Sequence, residues 1–219
     1  MLKIVFSLIL IVVCAIFANA QATVDRDDNQ SWNDVQVTVP MTEQFDFFMQ
    51  GTFRFGKNVS RLHDRRIQVG FTYKPTKSLS FSPFYWNIVA RNASGKFRQE
   101  HRLNFRAVYR FPIKSFGLSH RSTFEYRLRR PVNSWRYRPS LTFEKDIPKK
   151  FIPKAKFFAT EEVFYDSILK KFSRNRFTLG VTKSINNNLS VDVYYMRQND
   201  GFSIPGDLNV IGTSWKIKL

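Results

Sequence analysis

Two side-chain patterns in this sequence could do chemistry. His120 and Ser122 lie two residues apart, a spacing that puts both on one face of a β-strand. A histidine next to a serine can take the hydroxyl proton and so create a nucleophile for acyl transfer. Arginine recurs at alternate or fourth positions, as in Arg102, Arg106 and Arg110, and aligned guanidinium groups bind carboxylates, phosphates and other anions.

Metal and cofactor chemistry are not indicated. His63, His101 and His120 lie far apart, and none has another histidine or a carboxylate at a ligand spacing. Asp200 and Asp207 stand in a polar stretch whose composition is explained by turn formation. There is no glycine-rich phosphate loop in the sequence. We therefore predict no metal site and no cofactor.

The stretch EHRLNFRAVYRF (Glu100 to Phe111) shows how the arginines are positioned. Its residues alternate between an apolar set and an arginine-rich set, and in a strand these two sets lie on opposite faces. Similar segments recur along the chain and are mostly longer than the usual soluble strand of about 5 or 6 residues. Membrane strands need about 9 to 11 residues. The segments are Trp32–Val39, Phe45–Phe55, Arg65–Tyr73, Leu79–Val89, Arg98–Phe111, Leu118–Arg129, Trp135–Glu144, Ala155–Phe164, Arg174–Thr182, Leu189–Gln198 and Leu208–Leu219.

The links between these segments alternate in kind. Tight turns that often contain lysine, such as KPTKS (74–78), alternate with polar and usually longer links such as NDGFSIPGD (199–207). Outer-membrane barrels have this arrangement. We therefore predict an all-β fold, a transmembrane antiparallel up-and-down β-barrel of 10–12 strands with short periplasmic turns and longer outer loops.

The strand number is open at this point, because bacterial barrels normally have an even number of strands and eleven segments are seen. Either Trp32–Val39 is not a membrane strand, or a twelfth strand lies within 21–31 or within Lys154–Tyr165. We favour twelve.

The N-terminal residues indicate export. A positive start at Lys3, an apolar run from Ile4 to Phe17 and the small residues of Ala18-Asn19-Ala20 are typical of a cleavable secretory signal. The predicted organisation is a signal peptide (1–20), an N-terminal polar segment (21–31) and a single barrel domain (32–219). Cys14, the only cysteine, lies in the signal, so the mature chain is expected to contain none.

The arginine-rich faces would line the lumen of such a barrel. The acids on these faces are fewer than the arginines and comprise Asp46, Glu100, Glu125, Glu144, Glu162 and Asp192. Two interpretations remain open: the charges pair and fill a narrow interior, or they favour anion passage, as arginine and lysine rings do in pores. The candidate lumen charge network comprises Glu100, Arg102, Arg106, Arg110, Glu125, Arg127, Arg136, Arg138, Glu144, Glu162 and Arg176.

Four stretches carry a resemblance to a known family. EHRLNFRAVYRF, STFEYRLRRP, EEVFYD and RNRFTLGVTKSINNNLSVDVYYMRQ together resemble the outer-membrane β-barrel family catalogued as domain of unknown function 2490, over roughly Trp32 to the C-terminus. The resemblance implies a barrel fold and a location in the cell outer membrane. It implies no activity and no catalytic residues.

The composition bounds the possible partners. A formal net charge of +18 indicates an anionic partner, and the predicted location makes this outer-membrane lipid and lipopolysaccharide rather than nucleic acid. A final amphipathic strand ending at Leu219 resembles the segment read by the barrel assembly machinery, which is the partner expected during insertion. The oligomeric state is not indicated.

Two alternatives belong to other classes of protein. The first is a secreted soluble β-sandwich that binds polyanions through its arginine faces. The second is a lipid-A-type hydrolase barrel that uses His120 and Ser122. This hydrolase interpretation lacks a suitable acid, because strand alternation places Glu144 on the face opposite to His120, and Glu125 faces inward. We therefore expect that the protein is not an enzyme.

Overall fold

The computed structural model describes residues 27–92, 94–129 and 131–219. The predicted signal peptide, Cys14 and residues 21–26 lie outside these ranges. Within them, no helix is long and apolar enough to cross a membrane. The strands are β1 (Asp27–Pro40), β2 (Phe45–Gly56), β3 (Arg61–Tyr73), β4 (Leu79–Arg91), β5 (Phe97–Arg110), β6 (Gly117–Leu128), β7 (Ser134–Asp146), β8 (Ala155–Asp166), β9 (Lys171–Ser184), β10 (Leu189–Asp200) and β11 (Asp207–Lys218).

These strands form one closed barrel. Each strand pairs antiparallel with its neighbour in sequence, and β1 closes the barrel by pairing in parallel with β11, Trp32 opposite Gly212. The predicted all-β antiparallel barrel is confirmed, with eleven strands. A single closed sheet is not the two-sheet sandwich of the first alternative.

The preference for twelve strands is wrong for the described part of the chain. Trp32–Val39 lies within β1, residues 27–31 form the start of the same strand, and Lys154–Tyr165 contributes only β8. An odd number closes without a free edge because a parallel ladder also satisfies the backbone N–H and C=O groups of both strands. The parallel pair was not predicted.

The predicted difference in connection length is also not seen. Connections have four to six residues at the end predicted to have long loops and four to eight at the end predicted to have short turns, where the longest joins β7 to β8. The reason is that strands continue into segments predicted as outer loops. Register shifts at Arg54/Phe55 and at Phe164/Tyr165 let the ladders extend to Arg61 and to Lys171.

The two faces of the sheet have the predicted composition. On β5, Leu103 and Phe105 are 53% and 49% exposed on the outside, whereas Arg102 and Asn104 are 9% and 6% exposed on the inside. Large apolar side chains are similarly exposed on the outside of β2 and β3. The barrel therefore has an apolar exterior and a largely polar interior.

The interior also contains two apolar clusters that the sequence pattern did not predict. Phe48, Phe84, Trp86 and Ile88 form one of them. Leu79–Val89 has apolar residues at both parities, so alternation alone could not assign its faces. The second cluster lies on β1, β10 and β11 and comprises Trp32, Met196, Leu208 and Val210.

Candidate functional site

A wide opening lies at the end of the barrel where β2–β3, β4–β5 and β10–β11 are connected. Two adjoining cavities of about 820 and 1040 Å³ share several lining residues, among them Arg66, Arg102, Arg136 and Arg174. We call this space the vestibule. Because side chains from most strands reach it, its chemistry is set by closure of the barrel.

The wall on β5–β8 is held by buried ion pairs around Glu125. This carboxylate is fully buried and binds the guanidinium groups of Arg102 (Nη1 to Oε2, 3.3 Å) and Arg138. Arg138 also donates to Glu162, with Nη2 2.9 Å from Oε1. Arg121 Nη2 lies 2.8 Å from the same oxygen of Glu162. Arg138 thus joins two buried carboxylates.

A second group of ion pairs lies closer to the vestibule opening. Glu100 accepts hydrogen bonds from Arg102 Nε at 2.7 Å and Arg127 Nε at 2.6 Å. Asp166 accepts one from Arg136 Nε at 2.7 Å. Charge-assisted bonds of this kind orient each guanidinium group.

Aromatic rings stack against the same arginines. The guanidinium carbon of Arg54 lies 3.4 Å from the ring centre of Trp32, and that of Arg176 lies 5.0 Å from it. Arg176 is also 4.7 Å from the ring centre of Phe164, and Arg66 is 5.1 Å from that of Trp86. These rings hold the guanidinium groups in place without neutralising their charge.

Two of the inward arginines are poorly neutralised. Arg54 has Asp64 at 4.0 Å, but that carboxylate is bound more closely by Arg66. Arg106 has no carboxylate within ion-pair distance among the described residues, and its guanidinium carbon lies 4.7 Å from the ring centre of Phe84. The Nε groups of both arginines lack a hydrogen-bond acceptor. The positive charge of both groups can therefore attract an anion.

The predicted lumen residues divide into two sets. Arg106, Arg110 and Glu144 face inward by register, but none of them forms an ion pair within the described residues. The remaining residues of the candidate network meet in the two groups of ion pairs; they are Glu100, Arg102, Glu125, Arg127, Arg136, Arg138, Glu162 and Arg176.

The sequence pattern missed several residues of the site. Asp64, Asp166 and Asp200 each bind an inward arginine, so the lumen is more nearly neutral than the predicted list of acids suggested. All three lie in segments that were predicted as loops. Trp32 and Trp86 were missed as inward residues. Charge of the opposite sign at strand ends was the available signal for the aspartates.

His120 and Ser122 are brought together on the outside of the barrel. His120 Nε2 lies 3.0 Å from Ser122 Oγ, and Ser122 Oγ lies 2.9 Å from the hydroxyl of Tyr137. Glu125 and Glu144 lie on the inward face. Among the described residues no carboxylate contacts His120, and no cluster of three His, Cys, Asp or Glu side chains could hold a metal ion.

We predict that Ser122→Ala leaves the acyl pattern of lipid A unchanged. Without a carboxylate to orient the imidazole, His120 is poorly placed to activate the hydroxyl. Mass spectrometry of lipid A from cells expressing either form checks this. A gained acyl chain in the Ser122→Ala cells, absent from a Ser119→Ala control, would show that the pair is a hydrolase site.

Comparison with known proteins identifies the chain. The family model described as "Protein of unknown function (DUF2490)" matches residues 29–207. The chain belongs to this family. No curated protein matches the DUF2490 chain significantly.

Two solved structures are similar to the DUF2490 barrel. The NanC porin aligns with a TM-score of 0.51 and 11% identity, over 86% of this chain and 95% of the porin. An anion-selective porin from Comamonas acidovorans aligns with a TM-score of 0.40 and 11% identity, over 80% of this chain and 54% of that one. The NanC alignment shows that the DUF2490 chain has a porin-like barrel fold.

Proposed function

We propose that this DUF2490 protein is an integral outer-membrane barrel with a narrow lumen that prefers anions. The observation that carries the proposal is the set of inward guanidinium groups, of which Arg54 at the vestibule and Arg106 further inside the lumen are poorly neutralised. An anion in the lumen is attracted by guanidinium charge that the protein leaves poorly neutralised, whereas a cation is repelled by the same groups.

The apolar exterior supports a membrane location. Met49, Phe53, Ile67 and Leu103 are each at least 50% exposed on the outside of the barrel, which in water would form a large apolar patch. A closed barrel satisfies its backbone hydrogen bonds internally and can therefore cross a bilayer. The predicted signal peptide is consistent with transport to the outer membrane.

Side chains occupy part of the lumen. Arg176 on β9 reaches past β10 and β11 to the ring of Trp32 on β1. Barrels of this size are filled by side chains, and open aqueous channels come with about 16 to 18 strands. We therefore propose small anions rather than large solutes. A structural barrel with a closed lumen is the alternative within the same class.

Lipopolysaccharide is the proposed partner at the vestibule end. The connections there carry basic side chains that could pair with its phosphates, namely Lys57, Lys96 and Lys170. The barrel assembly machinery is proposed as a transient partner during insertion.

Extraction and conductance test the proposal together. We expect the protein to require detergent for release from outer membranes, to migrate differently on gels before and after boiling, and to give a reversal potential on the anion side in a planar bilayer under a salt gradient. Release by salt alone would refute the membrane location. A heat-modifiable barrel that does not conduct would refute the pore and leave the closed structural barrel.

A further inference from the structure

The outside of the barrel is not uniform. On β2–β5 its outward rows are mostly apolar, as at Phe53, Ile67 and Leu103. On β8, β9, β10, β11 and β1, several polar residues interrupt the outward apolar rows, mostly in the strand halves toward the vestibule. We call these residues the polar outer face: Asn33, Glu161, Asn175, Arg197, Asn199 and Asn209.

Hydrogen bonds connect most of this face across four strands. Asn175 Nδ2 donates to Glu161 Oε1 at 3.4 Å, and Asn199 Nδ2 donates to Asn175 Oδ1 at 3.1 Å. Arg197 donates to Asn199 Oδ1 at 3.2 Å and to Asn209 Oδ1 at 3.2 Å. The polar residues therefore form a joined surface rather than scattered substitutions.

The face extends into the apolar belt. Glu161 stands in the middle of β8, with Ala159 and Val163 as its outward neighbours along the strand. Asn33 on β1 lies opposite Thr213, and its Oδ1 accepts a hydrogen bond from Thr213 Oγ1 at 2.9 Å. Hydrocarbon offers no partners to such groups, and polar side chains at membrane depth usually face protein or water.

Closure of the barrel explains only part of the face. Bonds from Thr213 to Asn33 and from Arg197 to Asp27 join β1 to β11 and β10, and they strengthen the parallel pairing. Glu161 and Asn175 lie on β8 and β9, away from β1, and contribute nothing to that closure. They need another explanation.

We propose that a second copy of this chain docks on the polar outer face within the membrane; this rests on the proposed outer-membrane location. Carboxamide side chains both donate and accept hydrogen bonds, so a face rich in asparagine complements itself across a twofold axis. Exposed Ile211 (67%) lies between Asn209 and Thr213 on β11, and exposed Val193 (54%) lies opposite Thr213; both supply apolar contact.

Charge argues against lipid phosphate as the occupant. Arg197 is the one cation of the face, and it lies 3.0 Å from Asp27 and 3.3 Å from Asp207. Glu161 adds a further acid. Although the whole chain carries +18, this surface therefore has no free positive charge for a phosphate group, and a second copy with the same mixed groups fits it better.

Cysteine cross-linking in outer membranes tests the proposal directly. The mature chain is predicted to contain no cysteine, so Val193→Cys and Ile211→Cys each introduce a single thiol while keeping every polar group of the face. Under mild oxidation we expect a disulfide-linked dimer from at least one of them. Ile67→Cys, 55% exposed on β3, is the matched control and should stay monomeric.

The mass of the detergent-solubilised protein gives the second readout. We expect wild type to be a dimer and Glu161→Leu with Asn175→Leu to be a monomer that keeps its heat-modifiable migration, which shows that the barrel has folded. Asn87→Leu, an outward amide on β4 that contacts His101, is the control and should remain dimeric.

Several outcomes would overturn the second copy. In the cross-linking experiment, these are a dimer of Ile67→Cys formed as efficiently as those of the polar-face variants, no cross-link at either polar-face position, or a cross-link to a different protein. In the mass measurement, it is a mass that corresponds to one chain with bound lipopolysaccharide instead of two chains. A heat-modifiable outer-membrane monomer would refute this inference alone, whereas release from the membrane by salt would refute the proposed location.

Discussion

Replacing Arg138 by methionine is expected to lower the free energy of unfolding of the barrel by about 3 to 5 kcal/mol, the usual cost of removing one partner from a buried ion pair. Arg138 binds both Glu125, which is fully buried, and Glu162. Methionine has a similar length but carries no donor. Both carboxylates would keep other arginine partners, yet each would lose a charge-assisted hydrogen bond inside the barrel wall.

Urea unfolding in detergent micelles, followed on gels by the heat-modifiable migration, measures this effect. Arg110→Met is the matched control: Arg110 is exposed and forms no ion pair within the described residues, so its replacement should change the free energy of unfolding by no more than about 0.5 kcal/mol. Equal effects of the two substitutions would contradict the importance of the buried pairs.

The conservative Arg138→Lys variant separates charge from the guanidinium contacts. Lysine keeps a positive charge between Glu125 and Glu162, so most of the stability lost in Arg138→Met should be retained. If Arg138→Lys is no more stable than Arg138→Met, the loss comes from the guanidinium contacts, including packing against Phe164, and not from unpaired charge.

Removing the two poorly neutralised arginines is expected to weaken the preference for anions at least fivefold. One unit charge about 4 Å from an ion in water changes the energy of that ion by about 1 kcal/mol, which corresponds to about a fivefold change in permeability. Arg54→Gln with Arg106→Gln removes two such charges. Their ion pairs are weak or absent, so the loss of stability should be small.

Reversal potentials across a salt gradient in planar bilayers give the permeability ratio. Arg65→Gln is the matched control, because Arg65 lies on the outward face of β3, against the ring of Phe97. It removes one positive charge without touching the lumen. An unchanged ratio in the Arg54/Arg106 variant would mean that these groups do not line the ion path.

The comparison of sequence and structure is clearest at the strand faces. The alternation in Glu100 to Phe111 assigned Arg102 to the inside and Phe105 to the outside, and both assignments are confirmed. The side-chain period of a strand is a local property, so a single segment contains it. In Leu79–Val89 apolar residues occupy both odd and even positions, so alternation could not assign the two faces. Trp86 was therefore not recognised as an inward residue.

The partners of the arginines could not be predicted to the same degree. Arg138 meets Glu162, 24 residues away, because β7 and β8 pair in one register out of several that the pattern allows. Asp64 and Asp166 became partners only because β3 and β8 extend into segments predicted as loops. A strand extends in this way only where the backbone N–H and C=O groups of the neighbouring strand can pair with its own.

By itself, then, the sequence determined that this protein is a barrel of long amphipathic strands with arginines inside, since alternation and segment length are written along each strand. Only the tertiary structure decided that eleven strands close through a parallel β1–β11 pair, which carboxylates neutralise which arginines, and that polar side chains from four strands join on the exterior. The physical reason is that closure and register join residues from distant parts of the chain, and no local pattern records those distances.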